Sequence, residues 1–149
     1  MAMVADGPLC ACGQHGCWEA LAAGPALARA AAAAIAGDEP TLLRGLAGAV
    51  SGRHVSQAAR AGDAVALRLL RQEAAWLGRG FANLLHLYSP EAILVGGGVA
   101  SALDLMLPGI TATMRAAAMP AYHGATVMPA ALGADAGLIG AASLLWPAT

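Results

Sequence analysis

The fold is decided by residues 92–98, Ala-Ile-Leu-Val-Gly-Gly-Gly. A short, wholly apolar run that contains β-branched residues is typical of a strand buried on both faces of a parallel sheet. The glycines after it predict a turn into a helix from about Leu105 to Ala118. A second short strand at 125–129 and a last helix from about 136 to 146 complete the pattern. The order strand–helix–strand–helix predicts a right-handed βαβ unit.

The residues before this unit predict a long amphipathic helix from Asp63 to about Tyr88. Asp63 is a good N-cap. Arg68, Arg71, Gln72 and Arg79 lie opposite an apolar stripe with 3.6-residue spacing. The stripe comprises Ala66, Leu69, Leu70, Ala74, Leu77, Phe81, Leu84, Leu85 and Tyr88.

Shorter helices are predicted nearer the amino terminus, at Pro25–Ala36, Thr41–Gly48 and Ser51–Ala61, the last with Ser51 as its cap. Two strands offer too little sheet surface for this many helices to pack against, and parallel sheets usually have more strands. The fold class is therefore α/β, in a single partial domain over residues 1–149. Its parts are a cysteine loop at 8–19, a helical segment at 19–88 and a βαβα unit at 92–146.

Charge and hydropathy exclude two classes of partner. The net charge is −1 and the eight arginines do not cluster, so this segment lacks a nucleic-acid footprint. Hydrophobic residues make up 58% and mean hydropathy is +0.63. Prolines and glycines nevertheless interrupt the long apolar stretches, and no run gives about 20 clean apolar residues. We therefore expect no membrane span.

The low charge of the chain predicts a covered surface. Only 11% of residues are charged, against about 25% in an average domain. We expect more chain, or a second copy in a homo-oligomer, to cover part of the surface. The first residues contain Asp6 and lack the pattern of a secretory signal, and the cysteines are clustered and odd in number. Both features favour the cytoplasm.

All three cysteines, Cys10, Cys12 and Cys17, lie within eight residues. Gly13 and Gly16 allow the backbone to fold back and bring the sulfurs together. Thiolates held in this way suit Zn²⁺, which takes four tetrahedral ligands. Three small buried residues in a turn, or one disulfide with a spare thiol, are alternatives that remain open. An iron–sulfur cluster ranks behind, since it usually needs four cysteines with different spacing.

Residues 8–19 resemble the signature of the ROK family of bacterial sugar kinases and sugar-responsive repressors. The family pattern is Cys-Xaa-Cys-Gly-Xaa-Xaa-Gly-Cys-Xaa-Glu, and every fixed position is present. Residues 93–99 are similar to the family's nucleotide-lobe strand and turn, and residues 129–142 to its carboxyl-terminal stretch. The resemblance implies an incomplete carboxyl-terminal lobe of an actin-like, ribonuclease H-like ATPase fold of the hexokinase type.

The resemblance also implies site residues. It assigns a structural zinc ion to Cys10, Cys12 and Cys17, and hydrogen bonds with sugar hydroxyls to Glu19. The alternative for Glu19 is a residue of a first helical turn, stabilised by the helix dipole. The adenosine end of ATP would lie against Gly96, Gly97 and Gly98. The alternative for these glycines is an ordinary tight turn.

Departures from the family pattern qualify this assignment. The family's fourth zinc ligand is an upstream histidine, which would fall before Met1; His15 is a possible substitute. A phosphate-binding loop and a catalytic aspartate are also absent, as is the lobe that carries them. We therefore expect the carboxyl-terminal half of an ATP- and Mg²⁺-dependent hexose kinase of the glucokinase type, inactive alone. The alternatives are the effector-binding part of a ROK repressor and a non-catalytic, zinc-stapled fragment.

Four other polar residues are predicted to serve the fold. Asp135 is placed as the N-cap of the last helix. His54, His86 and His123 are isolated from cysteines and carboxylates at ligand spacing, so we expect packing or surface roles for them.

Overall fold

The computed structural model of the chain describes residues 1–46 and 48–145, and the backbone alone of Val99 and Ala134. Within that part, six α-helices and two strands follow one another: α1 (Trp18–Leu21), α2 (Gly24–Ala36), α3 (Gly52–Arg60), α4 (Ala64–Tyr88), β1 (Ala92–Val95), α5 (Leu103–Ala117), β2 (Thr126–Pro129) and α6 (Ala136–Ser143). Short 3-10 helices lie at Gly98–Ala102, Pro120–Tyr122 and Gly133–Asp135.

Helix α4 is the centre of the core. Its apolar stripe packs against α5, α3 and α2, and its N-cap Asp63 accepts a hydrogen bond from the amide of Ala66 at 2.8 Å. The helix lies so close to α5 that a Cβ at Gly78 would be 2.7 Å from the carbonyl oxygen of Ile110. The predicted stripe is confirmed except at its end, where Tyr88 is 74% exposed.

The sheet has one covered face. Strands β1 and β2 are parallel, with Ala92 opposite Thr126 and Val95 opposite Pro129. Ile93 and Val95 are buried. The predicted βαβ order is confirmed, but burial of β1 on both faces is wrong for this part of the chain. Leu94 is 63% exposed, because none of the described residues forms a layer over that face.

The helix predicted at 41–48 is also wrong, because residues 42–45 form turns. The side chain of Asp63 accepts hydrogen bonds from the Leu42 amide at 2.6 Å and from the Thr41 hydroxyl at 3.1 Å. Gly45 then adopts a φ of +80°, which a right-handed helix does not allow. Residue 47 lies outside the described residues.

The last two helices differ from their predicted bounds. Helix α5 begins at Leu103, two residues early, so Pro108 lies inside it. Helix α6 ends at Ser143, and its predicted end at Trp146 lies outside the described residues. Asp135 occupies the N-cap position of α6, but its side chain makes no capping hydrogen bond. No residue of α6 is buried against the rest of the described chain, and Leu138 is 75% exposed.

One stretch of the described residues, Trp18–Ala36, is long and apolar enough to cross a membrane. The chain does not continue as one helix there, because α1 ends at Leu21 and α2 begins at Gly24. Ala26, Leu27 and Ala31 of α2 are buried in the core.

Candidate functional site

The cysteine loop folds back on itself through local hydrogen bonds. The Cys10 amide donates to the carbonyl of Gln14 at 2.8 Å, and the Gly13 amide donates to the carbonyl of Cys10 at 2.9 Å. Gly13 and Gly16 have φ values of +86° and +66°. A Cβ at Gly16 would overlap the carbonyl group of Val4. The two glycines therefore have the hinge role that the sequence predicted for them.

Residues 1–4 close the loop from the amino-terminal side, a contact that sequence reasoning missed. The Met3 amide donates to the Gly16 carbonyl at 2.8 Å, and the Trp18 amide donates to the Met1 carbonyl at 2.8 Å. Ala2 and Cys17 form an isolated antiparallel bridge between these contacts. Such short backbone pairing leaves no periodic signal in a sequence.

The three sulfur atoms converge. Their Sγ atoms all lie within 4.8 Å of one another, and those of Cys12 and Cys17 are 3.6 Å apart. Zinc–sulfur bonds of about 2.3 Å in a tetrahedron would place two sulfurs about 3.8 Å apart. All three thiols are free, and Cys12 is exposed while Cys10 and Cys17 are buried. The donor set and its spacing fit a zinc ion, with a fourth position open.

The thiols of the loop differ in acidity. A hydrogen bond from the Gln14 backbone amide, with a further contribution from the Cys17 thiol, lowers the pKa of Cys12 below its ordinary value. The hydrogen bond to the Cys12 sulfur, together with burial, raises the pKa of Cys17 to about 11. A thiolate would therefore form more readily at Cys12 than at Cys17, and ligation by Cys17 would release a proton.

Two polar residues of the loop, His15 and Glu19, lie outside the group of converging sulfur atoms. His15 pairs its Nδ1 with the carbonyl of Gly7 at 3.0 Å. Among the described residues, the group of close metal-ligating atoms contains the three cysteines and not His15. Glu19 is exposed in the first turn of α1, two residues after Cys17. Its carboxylate is therefore accessible to a ligand.

A cleft of about 950 Å³ opens beyond the carboxyl end of β1, and its volume is typical of a small-molecule site. Gly97 and Gly98 line it, whereas Gly96 does not. Gly97 has a φ of +71°, and a Cβ at Gly97 or Gly98 would meet no atom of the described residues within 4 Å. The structure thus brings two of the three predicted glycines to one cleft.

Sequence reasoning missed the opposite wall of this cleft, which is built from the starts of α2 and α3. Its residues include Gly24, Pro25, Ser51, Gly52 and Arg53. The amides at the start of a helix favour negatively charged ligands. Both helix starts could be read from the sequence, but not the fact that they face the same cleft.

Arg60 links α3, on one wall of the cleft, to the residues that follow the glycine turn on the other wall. Its guanidinium donates two hydrogen bonds to the carboxylate of Asp104, each of 2.8 Å, and a third to the Ser101 carbonyl at 3.2 Å. The hydrogen bond from Arg60 lowers the pKa of Asp104. Arg60 ends α3, and Ser101 lies in the 3-10 helix after Gly97. The glycine turn is therefore tied to the helix across from it.

Known proteins are similar to this chain over most of its length. The model of the ROK family matches residues 1–147. A glucokinase of Streptomyces coelicolor is 41% identical over 150 residues, which cover 95% of this chain and 47% of that protein. A ROK family glucokinase from Streptomyces griseus, solved in complex with glucose and AMPPNP, has a TM-score of 0.78 and 40% identity, covering 97% of this chain and 49% of its own.

A repressor is also among the relatives. The DNA-binding transcriptional repressor Mlc of Escherichia coli is 32% identical over 116 residues, which cover 78% of this chain and 28% of that protein. The chain spans about half the length, or less, of the curated relatives it matches. The predicted fold, part of a hexokinase-type α/β protein, is confirmed by the match to the solved glucokinase.

Proposed function

Because this chain belongs to the ROK family, we propose that it is the carboxyl-terminal half of an ATP-dependent hexose kinase of the glucokinase type. The observation that carries the proposal is its similarity, over nearly its whole length, to a glucokinase solved with glucose and AMPPNP. Such an enzyme transfers a phosphoryl group from ATP, with Mg²⁺, to a sugar hydroxyl.

The cleft at Gly97 and Gly98 is the proposed site for the adenosine end of ATP. The positive φ of Gly97 turns the chain sharply after β1, and the missing side chains allow a ligand to approach the backbone. The starts of α2 and α3 face the same space, and Arg53 adds a positive charge to its wall. Gly96 would act by shaping the turn, because it does not line the cleft.

The cysteine loop is the proposed zinc site, held by Cys10, Cys12 and Cys17. When bound, the ion would supply a structural crosslink and no chemistry on the substrate. Glu19 follows on α1, and its exposed carboxylate can accept hydrogen bonds from two sugar hydroxyls. The loop and Glu19 would together form one wall of a hexose pocket.

An amino-terminal lobe is the proposed partner of this half. It would supply the phosphate-binding loop and the catalytic aspartate, so we expect the chain to be inactive alone. Leu94 of the bare sheet face and Leu138 of α6 are exposed apolar residues. Such a lobe could cover them, and their exposure therefore supports the proposal. We also propose the cytoplasm as the location, from the clustered and odd-numbered cysteines, and a homo-oligomer as the assembly, from the low charge of the chain.

Nucleotide binding tests the proposal. We expect calorimetry to detect AMPPNP binding to the chain. Gly97→Ala should weaken it about tenfold, because a side chain disfavours the positive φ by about 1–3 kcal/mol and the turn then relaxes to a form that does not bind. Gly124→Ala is the matched control, since Gly124 has open space and no positive φ. The absence of AMPPNP binding, or equal binding by the two variants, would contradict the proposed nucleotide site.

A repressor is the second candidate, favoured by the likeness to Mlc. In that case this chain would be the effector-binding part of a longer DNA-binding protein. The reading frame upstream of Met1 distinguishes the two candidates: a helix-turn-helix would indicate a repressor, and a phosphate-binding loop a kinase. A frame with neither would indicate a non-catalytic, zinc-stapled fragment.

A further inference from the structure

Trp18 lies between Cys17, a proposed zinc ligand, and Glu19, a proposed sugar-binding residue. Cys17 precedes it and Glu19 follows it, each at a distance of one peptide bond. The indole is partly buried against α4, far along the chain. The direction in which Trp18 leaves the backbone therefore constrains both neighbours.

Helix α4 offers a fitted space for this indole at Gly80. A Cβ at Gly80 would overlap the six-membered ring and the nitrogen of Trp18. Glycine weakens the interior of a helix relative to alanine. Its presence at a buried position of the longest helix is explained by the close approach of Trp18.

Two further contacts fix how the ring lies. The indole N–H donates a hydrogen bond to the carbonyl oxygen of Trp76 at 3.0 Å. The ring meets Phe81 edge to face, with centroids 5.7 Å apart and planes at 83°. Trp18 is thus held by a polar contact, an aromatic contact and a steric fit, all from α4. We call Trp76, Gly80 and Phe81 the indole seat.

We propose that Trp18 is a positioning residue, and that the indole seat sets the orientation of the cysteine loop and of Glu19 relative to α4. Ordering of the sulfur cluster is then coupled to a helix that contributes no cysteine. The part that concerns Glu19 rests on the proposed sugar kinase function. The part that concerns Cys17 does not depend on it.

A pair of glycine variants separates this role from general stability. Gly80→Ala pushes on the indole, whereas Gly78→Ala, two residues earlier in α4, pushes on the carbonyl of Ile110 and the side chain of Thr113 in α5. Both variants should lower the melting temperature. Only Gly80→Ala should disturb the cysteine loop.

The readout is the rate at which iodoacetamide modifies Cys17 in the reduced, metal-free chain, well below the melting temperature. Cys17 is 5% exposed, so its modification requires the loop to open. We expect about tenfold faster modification of Cys17 in Gly80→Ala, the factor that corresponds to about 1.4 kcal/mol, and a wild-type rate in Gly78→Ala. Equal rates in wild type and both variants would overturn the proposal, as would equal acceleration in both variants.

Trp18→Phe provides a second test if Gly80→Ala does not fold. Phenylalanine keeps an aromatic ring against Phe81 but loses the N–H donor to Trp76, so Cys17 should again be modified faster than in wild type. A wild-type rate in Trp18→Phe would then overturn the proposal. Zinc loading of the wild-type chain is measured separately: its failure would contradict the proposed zinc site and leave the alkylation result to decide the role of Trp18.

Discussion

Leu94 of β1 and Met128 of β2 are partners in the parallel register, and both side chains are exposed, at 63% and 42%. Register partners in parallel strands lie on one face of the sheet. This face is therefore apolar and bare in the described chain, whereas parallel sheets usually have both faces covered. The proposed amino-terminal lobe would provide the missing layer.

Alanine substitutions on the two faces of β1 should differ in cost. Ile93→Ala should lower the free energy of unfolding by about 2–4 kcal/mol, because Ile93 is buried in the core. Leu94→Ala should change it by less than about 1 kcal/mol, as expected for an exposed side chain. Denaturant titration of the isolated chain measures both. Equal losses would mean that the Leu94 face is covered in solution.

Asp63 should be a large single contributor to stability. Its carboxylate caps α4 and accepts hydrogen bonds from the Leu42 amide and the Thr41 hydroxyl. Asp63→Ala removes the cap, worth about 1 kcal/mol, and the hydrogen bonds from Leu42 and Thr41, worth about 1 kcal/mol each. We expect a loss of about 3 kcal/mol in denaturant titration. Asp38→Ala, at an exposed aspartate, is the control and should be nearly neutral.

The pH dependence of Asp63 follows from its hydrogen bonds. Burial raises its pKa, but hydrogen bonds from Ala66, Leu42 and Thr41 outweigh burial and bring the pKa below its ordinary value. The stability that it contributes is present above the unfolded pKa of about 3.9 and is lost as the pH falls through the folded pKa. Asp63→Ala should be less sensitive to acid than wild type in that range.

Ionisation of Glu73 should lower the stability of the fold, the opposite of the effect of Asp63, and should do so at higher pH. Its side chain is 3% exposed, its Oε1 finds no hydrogen-bond partner among the described residues, and burial raises its pKa from 4.5 to about 7. The folded chain then binds a proton more tightly than the unfolded chain. The free energy of unfolding should fall by about 3 kcal/mol as the pH rises from about 4.5 to about 7.

Glu73→Gln tests this assignment. The amide cannot ionise, so the fall in stability between the two pH values should shrink by about 3 kcal/mol. Glu91→Gln, at an exposed glutamate, should keep the wild-type pH profile. The comparison is made by denaturant titration across the pH range, so histidine contributions are common to all three proteins. A Glu73→Gln profile parallel to wild type would show that Glu73 is ionised at neutral pH.

Zinc should bind once per chain and raise the melting temperature, because a ligand of the folded state stabilises it. Cys17→Ser removes one thiolate of the cluster and should weaken zinc binding at least about tenfold. His15→Ala is the matched loop variant and should bind zinc as wild type does, since His15 lies outside the cluster. Metal analysis and competition with a chelator measure both. Weaker binding by His15→Ala would make His15 the fourth ligand.

Local patterns predicted the parts of the molecule that local chemistry determines. The stripe of α4 follows from a period of 3.6, and the cysteine loop follows from two glycines placed between thiols. The turn at 41–48 could not be predicted in the same way. Its residues suit a helix, but the Leu42 amide and the Thr41 hydroxyl donate hydrogen bonds to Asp63, about 20 residues away. These bonds hold the segment in turns.

The contact between Trp18 and Gly80 shows the same limit at the site. The sequence shows Gly80 as a residue that weakens the interior of a helix. Its partner, Trp18, lies 62 residues earlier, and no pattern in either segment predicts the contact. The cleft has the same origin, since it joins a turn after β1 to the starts of two distant helices. Tertiary packing determines both features.

A chimera tests whether this chain is the carboxyl-terminal half of a glucokinase-type enzyme. In it, this chain replaces the matching carboxyl-terminal half of the Streptomyces coelicolor glucokinase, to which it is 41% identical. We expect the chimera to phosphorylate glucose with ATP, Glu19→Gln in the chimera to raise the KM for glucose, and the isolated chain to form no glucose phosphate. A folded, zinc-loaded chimera without kinase activity, or turnover by the isolated chain, would contradict this proposal.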